Sequence, residues 1–497
     1  MNNITHCHAT TIQLVLGDQL VMPTPHLDKA HPVVMIEHDD LCRNYTYHQA
    51  KIAFFFSAMR HYKIALEADG YSVIYHRYTP HPPGGFFDTL MTLAPRVTQV
   101  HMITCSDPSF ESIAKTALHA KGVTLVTGPN PVFLTTLADF GEYLNGVKKP
   151  FMKTYYEQVR QRTGVLMNQG QPDGGKYSFD AMNQKKVPKT VLVPPRCFPA
   201  HDAVTLGAIH DVKQYFSGHV GDAKALWLPV TRPQALDWWR DFLDRYFCLF
   251  GDYEDAIDTR DDWLFHSGIS ALLNCGLLTP NEVINMALAQ RERVPLNALE
   301  GFIRQIMGWR EFIRGMHGHY YHDQPIPNFF NHHRALAPCW WTATTGHGPL
   351  DDAISQTLRL GYAHHIHRLM VIGATMLMVE TWPQHVHDWF MVMTIDSTEW
   401  AMAPNVYGMS QFSDGGRFAT KPYICGSNYI RKMSHYGTGD WCDVSDGLYW
   451  RFIDKHQDFF IKNARMGFAV STLKKMPADK RTRLMTAANT FIQNVTK

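Results

Sequence analysis

Hydrophobic and polar positions alternate in short bursts along the first third of the chain. TIQLVL (11–16), VVMIE (33–37), YSVIYH (71–76), TQVHMITC (98–105) and VTLVT (123–127) are brief, β-branched and bounded by turn residues, the pattern of buried strands. Between the second and third, HQAKIAFFFSAMRHYKIALEA, beginning near Tyr47, repeats apolar residues at helical spacing, and SFESIAKTALHAKG does so between the fourth and fifth. Strand–helix alternation predicts an α/β domain with a doubly wound parallel sheet over residues 1–134. From Pro233 the period becomes 3.6: PQALDWWRDFLDRYFCLF, TPNEVINMALAQ, LEGFIRQIMGWREFIRGM, LDDAISQTLRLGYAHHIHRLMVIGATMLM and PQHVHDWFMVMTI predict a large all-α domain over 231–497. Within it, GYAHHIHRLM (361–370) reads as part of an amphipathic helix. Residues 135–230 are polar, Gly/Pro-punctuated and basic, and read as a long interdomain linker.

Length and composition fit this division. A chain of 497 residues exceeds one core and calls for two or three domains. With 45% apolar and 12% aromatic residues it can bury packed interiors, which excludes a disordered chain. A net charge of +2 leaves nucleic-acid affinity to local patches. One such patch is present: residues 148–200 hold ten Lys/Arg against three acids, interleaved with tyrosines. That stretch is either a solvated linker or a phosphate-contacting arm. No apolar run reaches the ~18 residues of a membrane span. The start, MNNITHCHATTIQLVLG, lacks a basic region and a cleavage site, so a cytoplasmic location is expected. Nine widely spaced cysteines with no CxxC argue against a disulfide framework and a simple zinc site.

Candidate chemistry is sparse by motif alone. GxGxxG is missing, which argues against a conventional nicotinamide site. Ligands of doubly wound sheets bind at the carboxyl ends of strands, where Gly17, Asp18, Gln19 and Glu37 stand. Short polar acceptors there suit hydroxyl groups, although Asp18 could equally cap the next helix. His266-Ser267-Gly268-Ile269-Ser270 opens a helical pattern; its hydroxyls and free N–H groups suit a diphosphate, or ordinary capping. On a helix, His364 and His367 would share a face with His365 about 100° away. No carboxylate or cysteine pattern supports a metal pair there, and no metal site is expected.

Several words of the sequence then point the same way. LVLGDQL, PDGGKYSFDAMNQKKVP (172–188), FGDYEDAI (250–257), LFHSGISALLNCGLLTPNEVI (264–284), GWREFIRG (308–315), LGYAHHIHRLM and APNVYGMSQFSDGG…KPY resemble the photolyase/cryptochrome superfamily. More narrowly they resemble its prokaryotic (6-4) photolyase branch, the iron–sulfur bacterial cryptochromes and photolyases. The resemblance runs over nearly the whole chain. It implies an antenna domain, a linker and a helical domain holding FAD, and a light-driven repair of pyrimidine (6-4) photoproducts in UV-damaged DNA by a monomer. It makes His266, Ser267, Ser270, Gln305, Arg310, Asp396 and Asn405 flavin contacts. His365 and then His364 become proton donors, and Tyr423 and Met409 shape the lesion pocket. Trp341 and Trp389 become electron relays, and Lys148, Lys149, Lys153, Lys185 and Lys186 grip DNA. The sheet-edge residues would hold a 6,7-dimethyl-8-ribityllumazine antenna, and Asp180 would bear on a divalent-cation effect. Four departures stand out. Gly268 replaces a bulkier, often cationic residue, Met402 an acid near the flavin, and Phe390 a redox-active tyrosine. The cluster cysteines are missing as well: TTGHGPL (344–350) has none, Gly437 and Asp440 occupy two positions, and Cys442 stands alone nearby. No iron–sulfur cluster is therefore expected. The same departures suit an alternative, a cryptochrome-like photoreceptor that binds FAD without repair; an inactive DNA-binding module would need none of the flavin motifs.

Overall fold

The computed structural model describes residues 7–463 and 466–497. Five parallel strands, β1 (Thr11–Leu14), β2 (Val33–Ile36), β3 (Val73–His76), β4 (Gln99–Ile103) and β5 (Thr124–Gly128), stand in the order β3-β2-β1-β4-β5. Each lies within the predicted stretch or one residue beyond it. The order reverses direction between β1 and β4, the doubly wound arrangement expected from the alternation. Side chains of successive strand residues part to opposite faces. Ile12, Leu14, Val34 and Ile36 pack with the helices Phe86–Leu93 and Pro108–Ala120 in one core. Val15, Val33 and Met35 pack on the helix Gln49–Ala68, in a second core continuous with the helical region. That helix is capped by His48, whose ring accepts from the Ala50 N–H (3.1 Å) and whose Nε2 meets the Leu358 carbonyl (2.8 Å). It is buried on both sides because it is the wall shared by the two halves.

The segment expected as a linker is more structured than its composition suggests. It contributes the helices Leu137–Asn145, Met152–Thr163 and Ala203–Tyr215. Phe140 packs on Phe312 (centroids 5.6 Å) and Tyr156 donates to Glu300 (3.1 Å), so two of these helices belong to the helical core. Residues 191–200 have no regular structure.

Several predicted helices are interrupted. LEGFIRQIMGWREFIRGM forms the helices Leu296–Ile303 and Glu311–Met316 around a π-helical turn, Arg304–Arg310. The continuous helix expected through GYAHHIHRLM is corrected. Helix Gly348–Leu360 stops at Gly361, a left-handed residue with φ +60° whose N–H donates to Thr357. Tyr362–His364 are non-helical, and the chain re-enters a helix at His365 before the π turn His367–Gly373. Hydrophobic period could not reveal the break, because the apolar positions on both sides continue it; only the glycine marks it. Further π turns span His317–Tyr321 and Pro404–Ser410. π turns open the helical ladder and recur at functional sites. Here they carry Gln305, Arg310, Asn405 and Met409.

Candidate functional site

Asp396 is the hub. Its carboxylate accepts from Ser270 Oγ (2.6 Å) and from both terminal nitrogens of Arg368 (2.9 and 3.2 Å). Its backbone carbonyl accepts from Asn274 Nδ2 (2.8 Å), and Arg310 donates to Asn274 Oδ1 (2.8 Å). Three expected cofactor residues, Ser270, Asp396 and Arg310, are thus joined through Asn274. Burial alone would raise the Asp396 pKa, but the charge and hydrogen bonds of Arg368 and the Ser270 hydroxyl together hold it below the usual carboxylate range. The group is a fixed negative charge. Arg310 is turned toward the protein: its other bonds run to the Val132 and Leu273 carbonyls, and it lies over Phe133 and Trp400 (4.7 Å each).

The histidines flank this hub. His266, His364 and His367 stack as a column, with ring centroids 4.7 and 4.1 Å apart. His364 and His367 are buried; desolvation and then the neighbouring imidazoles and Arg368 push His364 well below the usual imidazole value, and desolvation, opposed by Asp262, pushes His367 to about 4. His365 points elsewhere. It is exposed, yet desolvation first and Arg368 second push its pKa down to about 4. Gly268 has φ +66°, with the rings of Trp227 and Trp238 beside the place of a Cβ. A side chain at 268 would be strained by the backbone, which accounts for glycine there.

The other expected residues fall around these. Trp389 is fully buried, donates to the Trp340 carbonyl (3.1 Å), and lies 6.4 Å centroid to centroid from the half-buried Trp341. Asn405 donates to Ala401 (2.8 Å); Met409 and Met402 are buried; Gln305 and Tyr423 are half-buried. Ser267 offers its carbonyl to Trp238 Nε1 (2.8 Å).

At the sheet edge the expectations divide. The Glu37 carboxylate accepts from Arg60 Nε and Nη2 (2.7 and 2.9 Å), Tyr75 OH (2.6 Å) and the Tyr78 N–H (2.8 Å), which saturates its acceptor sites. Gln19 is likewise turned inward, onto Leu16 and Ile103. Asp18 is the residue left with chemistry: burial pushes its pKa up to about 6, against a Ser106 hydrogen bond, with Asp107 adding to the rise.

Lys148, Lys149 and Lys186 are exposed and, among the described residues, have no acid within ion-pair distance. Lys153 reaches Glu157 (3.9 Å) and Lys185 reaches Asp252 (2.9 Å). Among the described residues no group of three or more His, Cys, Asp or Glu is arranged to hold a metal ion, and the nine cysteines are all free thiols. Asp180 pairs with Arg304 (3.0 Å). No helix of the described residues is long and apolar enough to cross a membrane. Two surface clefts, of about 620 Å³ beside His456 and 230 Å³ beside Tyr407, contain none of the expected site residues.

Sequence reasoning missed Arg368, Asn274 and Lys51. The Lys51 ammonium comes from the antenna-side helix Gln49–Ala68 to donate to Ser397 O and Oγ (2.7 and 2.9 Å), beside Asp396. Burial pushes its pKa down to about 7 against the pull of Asp396 and Glu399. A lysine inside the apolar run KIAFFF was the available clue.

Comparisons with known proteins bear on the family and the fold. Residues 13–227 match the family described as deoxyribodipyrimidine photo-lyase-related protein. A (6-4) photolyase of Agrobacterium fabrum is 34% identical over 501 aligned residues, covering 97% of this chain and 99% of the relative. Among solved structures, a bacterial class III photolyase from Agrobacterium tumefaciens superposes with a TM-score of 0.56 at 15% identity, covering 98% of both chains. A cryptochrome from Synechocystis superposes at 0.57 and 11% identity, covering 98% of this chain and 99% of its own. At those identities the two structures establish the fold.

Proposed function

The chain belongs to the photolyase/cryptochrome family, and from that premise we propose that it repairs pyrimidine (6-4) photoproducts in DNA under blue light. The observation that carries the reading is the network of an ionised Asp396 bonded to Ser270 and Arg368, with the exposed His365 on the same turn as Arg368. Family membership implies FAD. The residues fit it: Ser270 and Arg310 bond to Asp396 and Asn274, and the nearby His266 has a buried Nε2 without a partner. Gln305 and Asn405, on the flanking π turns, complete the candidate set. Bound FAD supplies an electron to the lesion on illumination.

The chain's own side chains do the rest. A damaged dinucleotide must leave the base stack to be reached, and Tyr423, Met409 and His364 would shape its pocket. His365 delivers a proton to the lesion hydroxyl. Desolvation first and Arg368 second keep that imidazole neutral, so a negatively charged lesion beside it is what would let it carry the proton. Trp341 and Trp389 would pass electrons inward to restore the reduced flavin. Lys148, Lys149, Lys153, Lys185 and Lys186 would hold DNA phosphates. Of the antenna residues, Asp18 and its neighbour Gly17 remain as a lumazine contact, while Glu37 acts as the Arg60 anchor and Gln19 is turned inward. We further propose a monomeric cytoplasmic protein without an iron–sulfur cluster, with the domains 1–134, 135–230 and 231–497.

A photoreceptor without repair is the second reading. It is favoured by the buried Met402 and Phe390, which place no acid or phenol beside Trp389 and Asn405. An absorption spectrum of the purified protein, followed by blue-light incubation with a (6-4)-containing oligonucleotide, tests the proposal. Flavin bands with restored thymines are expected; flavin bands with no restoration favour the photoreceptor.

A further inference from the structure

The helix Gln49–Ala68 belongs to the N-terminal half, yet its first turn abuts the end of the helix Pro383–Met393. The last carbonyls of a helix have no partner within it and carry partial negative charge. Here the partners come from the other half of the molecule. The His48 N–H donates to Val392 O (2.8 Å), and the Lys51 ammonium reaches Met391 O (3.5 Å). Its two shorter bonds go to Ser397 O and Oγ (2.7 and 2.9 Å), at the far end of the 391–397 turn. The Ser397 hydroxyl passes its own proton back to Thr394 O (2.7 Å). Lys51 is 7% exposed and Ser397 1%. The Ile395 N–H, one residue before Asp396, donates to Gly361 O (2.9 Å). Asp396 is therefore held between two anchors, Gly361 ahead of it and Lys51 behind.

A buried ammonium is costly even when bonded, and the packing of two domains requires no charge. The groups facing this one are Asp396 and Glu399 from the helical half and the Tyr47 ring, 4.2 Å away, from the loop ahead of its own helix. Glu399 is shared with His387 (3.3 Å), and Asp396 with Arg368. Among the described residues no carboxylate lies within ion-pair distance of Lys51. Its field still reaches Asp396: burial would raise that pKa, and Arg368 and Ser270 first, then the Lys51 charge, hold it down. The same ammonium caps the helix that carries Trp389.

We propose that Lys51 is a positioning residue of the flavin site: its ammonium fixes the 391–397 turn, and with it Asp396, and adds a positive charge that strengthens the hold on FAD. The inference rests on the flavin reading above, and it makes the N-terminal half a contributor to the cofactor site of the helical half. Burial pushes the Lys51 pKa down to about 7 against the pull of Asp396 and Glu399. The charge is therefore present at pH 6 and mostly lost at pH 8, and FAD affinity should fall over that range.

Equilibrium dialysis of FAD against the full-length chain, exchanged free of flavin, tests this at pH 6, 7 and 8. Wild type, Lys51→Met, Lys51→Arg and Ser397→Ala are compared, with a urea midpoint recorded for each. The wild type is expected to lose affinity roughly three- to tenfold from pH 6 to pH 8, within the limit set by one proton. Lys51→Met, similar in length but uncharged, should bind at pH 6 no better than the wild type does at pH 8, and without a slope. Lys51→Arg, charged throughout, should keep its pH 6 affinity at pH 8. Ser397→Ala retains the charge and loses one tie, so it should bind more weakly at pH 6 and keep the wild-type slope. If the Met variant does not fold, the wild-type and Arg slopes decide the matter. A wild-type affinity constant from pH 6 to pH 8 overturns the proposal and leaves the flavin reading standing, as does an Arg variant with the wild-type slope. So does a Met variant that lowers the urea midpoint yet binds FAD as the wild type does, the result of a lysine that only joins the two halves. A chain that binds no FAD at any pH overturns the flavin reading, and this inference with it.

Discussion

Arg368 sets two ionisation states at once. Its charge keeps Asp396 deprotonated and disfavours a proton on His365. Arg368→Gln should therefore raise the pKa of both, moving His365 upward from about 4 while desolvation, the larger cause, still holds it below 6.5. The shift is measurable as the NMR titration midpoint of the His365 ring, and an unmoved midpoint would contradict the assignment. Asp396→Asn should weaken FAD binding at least tenfold, because the amide removes the charge paired with Arg368 and replaces one of the two acceptor oxygens with a donor; equilibrium dialysis reads it directly. At this scale the sequence was informative where the family words stood intact: Ser270, Asp396 and Arg310 were named in advance and lie in one network. It was uninformative about Glu37, because nothing in VVMIE shows that Arg60, Tyr75 and Tyr78 will fold back to saturate the carboxylate. Such contacts depend on where distant elements land.

The helix ending at Leu360 shows what the sequence pattern could not convey. Gly361 reverses the chain so that His364 joins His266 in the column while His365 is exposed. A Cβ at 361 would sit 2.6 Å from the Ile395 side chain, and the backbone there is left-handed. Gly361→Ala should destabilise the fold by about 1–3 kcal/mol, seen as a lower urea midpoint. A midpoint unchanged from wild type would show that the break is not imposed by this residue. The strands and the helix Gln49–Ala68 were legible to within a residue or two because their burial is local and periodic. The π turns and the packing of the 135–230 helices were not, since period and composition carry no record of a widened turn or of a tertiary partner.

Across the whole molecule, many histidines are buried in neutral form. Desolvation, foremost, pushes His266 and His332 to about 3 and His347, His367 and His456 to about 4. A group with a depressed folded pKa binds fewer protons folded than unfolded between the two values, so stability is full above the unfolded value near 6.5 and is lost as pH falls below it. His387 runs the other way: burial opposes but Asp388 and Glu399 raise it to about 9, so its contribution is full below 6.5 and fades as pH rises toward 9. The depressed group is the larger, so the thermal midpoint should fall steadily from pH 7 to pH 5. A midpoint constant over that range would contradict the burial of the column.

The central claim is that light, a flavin and His365 act together on a DNA lesion. The most direct measurement is blue-light turnover of a (6-4)-containing oligonucleotide by the wild type and by His365→Asn, with bound flavin and its photoreduction recorded in the same samples. The account predicts restored thymines with the wild type, and in the variant equal flavin content and photoreduction with repair reduced about 100-fold or more. A wild type that photoreduces its flavin yet restores no bases, or a variant that repairs as well as the wild type, would contradict it.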